Sequence, residues 1–117
     1  MKVIEIQKLL EADIVCGEAD MELNTEYVFG TDMMSDVLAF AEDCATLITG
    51  LCNPQVVRTA EMLDINCIVF VCGKQPTENI ITLAEMKDMA ILTTKHSMFT
   101  SCGILYTNGL RTSGRCF

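Results

Sequence analysis

Three short apolar runs, alternating with stretches of helical period, constrain this chain more than any other feature. "ATLITG" (45–50), "CIVFVCG" (67–73) and "AILTT" (90–94) carry no charge, and the first two end in glycine. A strand that is apolar on both faces must be covered on both faces, which is the condition of a parallel sheet flanked by helices. Between the runs lie "NPQVVRTAEMLDI" (53–65) and "PTENIITLAEMKD" (76–88). The first places Asn53 at the N-cap, Pro54 at the first helical position, and Val56, Val57, Ala60 and Leu63 on an inner face. The second aligns Ile80, Ile81 and Ala84, with Met89 buried after it. "SMFTSCGILYTNG" (97–109) reads as a last helix aligned on Met98, Cys102 and Leu105, with Gly109 beyond its end.

The upstream half continues the pattern. "VIEIQKLLEA" (3–12) predicts a helix, "DIVCG" (13–17) a short strand, residues 18–26 a polar loop or edge, and "YVFGT" (27–31) another strand. "DMMSDVLAFAED" (32–43) predicts a helix with Asp32 as its N-cap. Strands alternating with helices predict an α/β fold, a three-layer α/β/α domain with a mostly parallel sheet and right-handed crossovers. Residues 1–108 form one domain on this reading. Residues 109–117 form a flexible C-terminal tail of turn residues without period.

Composition narrows the function classes. Half of the 117 residues are hydrophobic, enough for the core of one domain. No apolar run approaches the roughly 20 residues that span a bilayer. The opening "MKVIEIQKLL" lacks a small-residue cleavage site, which points to the cytoplasm and away from a membrane. A net charge of −8 without a basic stripe argues against nucleic acid as a partner. The seven cysteines are an odd count without a CxxC pair, and there is a single histidine, so neither zinc nor iron–sulfur ligation is expected. Cys67 and Cys102 read as small buried hydrophobes, Cys116 as an exposed thiol in the tail. Asp32 and Asp36 share a helix face without a third ligand, so no metal is assigned there, and no cofactor is expected.

Ligands of open parallel sheets bind beyond the strand C-termini, where three loops are expected to meet: Gly50–Asn53, Gly73–Thr77 and Thr93–Ser97. Neither GxxxxGK[ST] nor GxGxxG is present. A glycine-ended strand feeding a helix N-terminus can still hold an anion, although Asn53 can cap the same end. Gly50, Asn53, Gly73, Lys74, Thr94, His96 and Ser97 are the candidate ligand-binding residues, with Gln75, Thr93 and Lys95 on the same edge. Adjacent His96 and Ser97 do not make a nucleophile–base pair, and no serine lies in a GxSxG elbow, so no catalytic residue is assigned. Eight methionines are an excess. Met33 and Met34 would mark a subunit interface if both were exposed.

Three segments, "GTDMMSDVLAFAE", "LITGLCNPQVVRTAEMLDINCIVFVCGKQP" and "LTTKHSMFTSCGIL", together resemble the DRTGG domain over roughly residues 3–108. The resemblance implies a small α/β/α module similar to the N-terminal domain of HPr kinase/phosphorylase. Such modules are found between the CBS domains of some family II pyrophosphatases, in some phosphotransacetylases, and as stand-alone proteins. It implies a regulatory role without catalysis, often with dimer contacts, and in anaerobes the company of hydrogenase-like and serine kinase-like proteins. The chain departs from the name-giving residues: Leu51-Cys52 stands where Asp-Arg is expected, and Cys72-Gly73-Lys74 where Thr-Gly-Gly is.

Three functions follow. The first is a non-catalytic regulatory module that forms a homodimer and senses a small anionic or nucleotide ligand or a protein partner. The second is a phosphate-handling enzyme subunit using Lys74, Lys95, His96 and Ser97. The third is a thiol-based redox or hydrogenase-associated accessory protein in which Cys52 and Cys72 approach one another.

Overall fold

A computed structural model of the chain describes residues 1–41 and 45–112. Its elements are α1 (Val3–Leu9), β1 (Asp13–Cys16), β2 (Tyr27–Gly30), α2 (Met34–Phe40), β3 (Ala45–Thr49), α3 (Pro54–Met62), β4 (Cys67–Phe70), α4 (Glu78–Met86), β5 (Ala90–Thr93) and α5 (Met98–Thr107), with a 3-10 turn at Glu18–Asp20. The sheet order is β1-β5-β4-β3-β2. β2, β3, β4 and β5 are parallel neighbours, and β1 closes the β5 edge antiparallel, Asp13 opposite Thr93. The α/β class and the mostly parallel sheet are as the alternation of segments predicts.

Two cores sandwich this sheet. Leu47, Ile68, Phe70 and Ile91 face one layer, where Met34 and Val37 of α2, Val56, Val57 and Ala60 of α3, and Ile80 and Ala84 of α4 pack on them. Ile48, Cys67, Val69 and Leu92 face the other, covered by Val3, Ile6 and Leu10 from the α1 region and Leu105 of α5. The alternation within each strand is a consequence of the pleat, which sends successive side chains to opposite faces. Because β2 to β5 step in one direction across the sheet, their three connecting helices share one layer. The chain crosses to the opposite layer after β5, and α5 lies there beside α1.

Helix ends follow one rule. After α1, α3, α4 and α5 the chain takes a left-handed residue, at Glu11, Asp64, Asp88 and Gly109. The next residue then donates back into the last turn: Ala12 to Gln7 (3.0 Å), Ile65 to Ala60 (2.9 Å), Met89 to Ala84 (2.9 Å) and Leu110 to Leu105 (3.1 Å). This is the Schellman closure, and the four residues that make it, Ala12, Ile65, Met89 and Leu110, are all buried.

Three expectations change at the boundaries. Asp32 does not cap α2: Met33 is the N-cap residue, and its N–H donates to Thr31 Oγ1 at 3.0 Å. α2 ends at Phe40, and residues 42–44 lie outside the described segment. Leu110 and Arg111, assigned to the tail on sequence, pack on the domain. Leu110 is buried, the Arg111 carbonyl accepts from Val28 N at 3.0 Å, and the Arg111 guanidinium lies 3.7 Å from the Tyr106 ring centroid. Residues 113–117, with Cys116, lie outside the described residues.

Glycine at C′ carries no Cβ penalty, whereas Asp64 adopts φ 54° with one. Asp64→Gly is therefore expected to raise unfolding free energy by about 0.5–1 kcal/mol in urea titration, the left-handed penalty less the added chain entropy.

Candidate functional site

Hydrogen bonds join the second and third strand-end loops, and the chain itself satisfies donors of the first two. At the first, Asp32 replaces an external anion. Its Oδ1 accepts the Gly50 N–H at 2.7 Å and the Thr49 hydroxyl at 3.2 Å. The Leu51 N–H donates to Thr49 Oγ1 at 3.1 Å, and Val56 N–H to the Asn53 side chain at 3.3 Å. A carboxylate leaving β2 thus takes the donor that the β3 end offers, which is why Asp32 is not available as a helix cap. A Cβ on Gly50 would lie 3.4 Å from that oxygen.

At the second loop, Cys72 and Gly73 both take positive φ, 60° and 68°. Consecutive left-handed residues make the tight reversal of a primed turn, closed by Lys74 N–H on the Val71 carbonyl at 3.2 Å. The Cys72 N–H donates to the His96 carbonyl at 2.8 Å and the Gly73 N–H to the Thr94 carbonyl at 2.9 Å. These donors stitch the β4 loop to the β5 loop. Thr94 is itself a tie: its buried hydroxyl donates to the Leu10 carbonyl at 2.8 Å and accepts the His96 N–H at 3.3 Å. Ser97 caps α5 by accepting from Thr100 N at 3.1 Å.

What remains open is a crevice of about 320 Å³ at the β1–β5 corner. Gly73, Gln75, Thr93, Thr94, Lys95 and His96 line one side, and Leu10, Glu11 and Asp13 the other. It lies beyond the C-terminal end of β5, on the edge of the sheet where open α/β folds take ligands. The volume falls at the lower end of ordinary small-molecule sites. Of the predicted residues, Gly73, Thr94 and His96 line it; Gly50, Asn53, Lys74 and Ser97 do not. Lys95 is exposed and makes no ion pair with any described residue. The sequence reading missed Glu11 and Asp13, because only the antiparallel pairing of β1 carries the start of that strand to the C-terminal edge of β5.

Met33 and Met34 are separated by the fold. Met33 is 59% exposed, while Met34 is buried in the α2–α3–α4 layer and is not available to a partner. Among the described residues no group of three or more His, Cys, Asp or Glu is placed to hold a metal, and no helix is long and apolar enough to cross a membrane.

The described cysteines, Cys16, Cys52, Cys67, Cys72 and Cys102, are all free thiols. Burial raises the pKa of Cys16, Cys52, Cys67 and Cys102, against a small opposing pull from Lys74 at Cys52. At fully buried Cys67 the thiol is pushed up to about 12. Cys72 alone of the five is exposed. A group whose folded pKa is raised contributes stability below its unfolded pKa and loses it as pH climbs toward the folded value. The Cys67 contribution is therefore complete below about pH 8.5 and falls by up to ~1.4 kcal/mol per pH unit from there toward pH 12. Alkaline denaturation of Cys67→Ala is expected to show a shallower loss over that window than the parent chain.

The DRTGG domain model matches residues 5–110. A comparison with curated proteins gives no match. Among solved structures, the chain is similar to the crystal structure of the CBS and DRTGG domains of the regulatory region of Clostridium perfringens pyrophosphatase, complexed with its activator diadenosine tetraphosphate. The TM-score is 0.74 at 20% identity, over 89% of this chain and 45% of the other, so the chain spans less than half of that neighbour. With its sheet, its two helix layers and a family match that runs from α1 to the buried Leu110, this chain belongs to the DRTGG domain family.

Proposed function

We propose that this chain is a non-catalytic regulatory module that forms a homodimer and takes a nucleotide-like ligand in the β1–β5 crevice. Membership of the DRTGG family, and likeness in fold to a regulatory region crystallised with a nucleotide activator, support the regulatory part of this reading. The crevice carries the ligand part. It is two-sided: Lys95 offers a positive charge and His96 a ring nitrogen on one wall, and Glu11 and Asp13 offer carboxylate acceptors on the other. A simple inorganic anion uses only the first wall. A nucleotide uses both, with phosphate on the Lys95 side and ribose hydroxyls or an amino group on the carboxylates, the pairing acidic residues make with ribose elsewhere.

The phosphate-handling enzyme reading has less support. Ser97 is engaged as a cap, and Lys74 lies outside the crevice. The thiol reading rests on Cys72 as the exposed member of the described set, with Cys52 half-buried and its thiol held protonated by burial.

Thermal melts with AMP, ADP, ATP, diadenosine tetraphosphate and inorganic phosphate test the ligand. One adenine nucleotide is expected to raise Tm, by about 2.7 kcal/mol of added stability at a hundredfold excess over Kd, and phosphate alone to give little. Lys95→Ala is expected to abolish the shift and Asn53→Ala to leave it. No shift with any nucleotide, or a shift indifferent to Lys95→Ala, overturns the crevice as the site.

A further inference from the structure

We infer that the outer face of α5 is the surface on which a second copy of this chain docks, through Phe99 and Tyr106 around a hollow at Gly103. The inference deepens the homodimer part of the proposed function and rests on it. The first observation is that α5 carries large apolar side chains on its outer face as well as toward the core, where Met98, Cys102, Ile104 and Leu105 pack. Its buried face holds Leu105 and Ser101, whose hydroxyl is buried without a hydrogen-bond partner. Its outer face holds Phe99, 88% exposed, and Tyr106, 61% exposed. A helix with apolar side chains on opposite sides is suited to an interior, and among the described residues no element covers the outer side of this one.

The second observation concerns shape. Met98, Phe99, Cys102, Gly103, Tyr106 and Thr107 border a hollow of about 370 Å³. A Cβ on Gly103 would meet nothing within 4 Å. Glycine is a poor choice inside an exposed helix unless something must come close. Phe99 and Gly103 stand four residues apart, about one turn, on the same side of α5. Two antiparallel copies of α5 about a twofold axis therefore set the Phe99 of each over the Gly103 of the other, the self-complementary arrangement an isologous contact requires. Tyr106 bounds the hollow at one end, held by the Arg111 guanidinium over its ring and by the bond from that guanidinium to the Tyr106 carbonyl at 2.8 Å.

Charge selects the occupant. The chain carries −8, and α1, α2, α3 and α4 each bear acidic residues, whereas "MFTSCGILYT" of α5 bears no charge. A basic partner would be drawn to the acidic faces and would gain nothing at α5. A second copy meets acidic side chains on each of those helices and no like charge from α5 itself. Of the other exposed apolar side chains, Met62 and Met86 flank the Lys87–Glu61 ion pair that joins the α3 and α4 ends, and Met33, Leu38 and Phe40 lie at α2, which carries Asp36.

Sedimentation velocity over a wide concentration range tests the placement, with thermal melts to confirm that each variant is folded. The parent chain is expected to be a dimer. Phe99→Glu is expected to weaken self-association by about thirtyfold or more, as loss of an interface anchor does. Gly103→Leu fills the hollow with a better helix former, so it is expected to weaken the dimer while the melt of the domain holds or rises. Met33→Glu on α2 is expected to leave the mass unchanged. A dimer that survives both α5 variants, or that is broken by Met33→Glu, overturns the α5 placement and leaves the homodimer reading standing. A parent chain that is monomeric at every concentration overturns both.

Discussion

Burial of β3, β4 and β5 on both faces is the constraint from which the remaining structure follows. Their side chains are enclosed, so each layer of helices must cover its side of the sheet without gaps. The parallel run β2 to β5 places α2, α3 and α4 on one side. The other side is left to α1 and α5, and α1 arrives with the antiparallel strand β1. Buried threonines then tie this frame to its surroundings: Thr46 to Thr25 at 2.8 Å, Thr49 to Asp32, and Thr94 to the end of α1. A strand interior that must pair each polar atom thereby fixes the loops at its ends.

Those ties decide which strand ends can serve a ligand. A parallel sheet presents several N–H groups at its C-terminal edge, and each must be satisfied by protein, ligand or water. Asp32 supplies the partner at Gly50. The carbonyls of Thr94 and His96 supply it at Cys72 and Gly73. The open crevice lies at the next corner, where the reversal of β1 brings carboxylates opposite Lys95 and His96. A ligand proposed for this edge would meet the side chains of Lys95, His96, Glu11 and Asp13, in contrast to the backbone cradle that a phosphate loop provides. Leu51-Cys52 and Cys72-Gly73-Lys74 lie on the two turns whose donors the chain uses itself.

The α5 helix shows how the second layer meets its own demand. It crosses the sheet so closely at Gly30 that a Cβ there would lie 2.8 Å from Cys102 Sγ. Close approach places small residues, Ser101 and Cys102, on the inner side beside Leu105, while Phe99 and Tyr106 project outward. The same packing that seals the sheet leaves an uncharged aromatic face on an acidic protein.

The sequence by itself determined the strands, the helices, their α/β layering and most of the core, because apolar runs and helical periods are local patterns that burial alone accounts for. Asn53 as the cap of α3, the inner residues Val56, Val57 and Ala60, and the left-handed Gly109 were legible in this way. Only the tertiary structure decided the partner of Asp32, the direction of β1, the burial of Met34 beside an exposed Met33, and the ordering of Arg111 against β2. Each of these depends on which segment a residue meets across the sheet. Periodicity tells which side of an element is apolar, but not which neighbouring donor, strand edge or ring will stand opposite it.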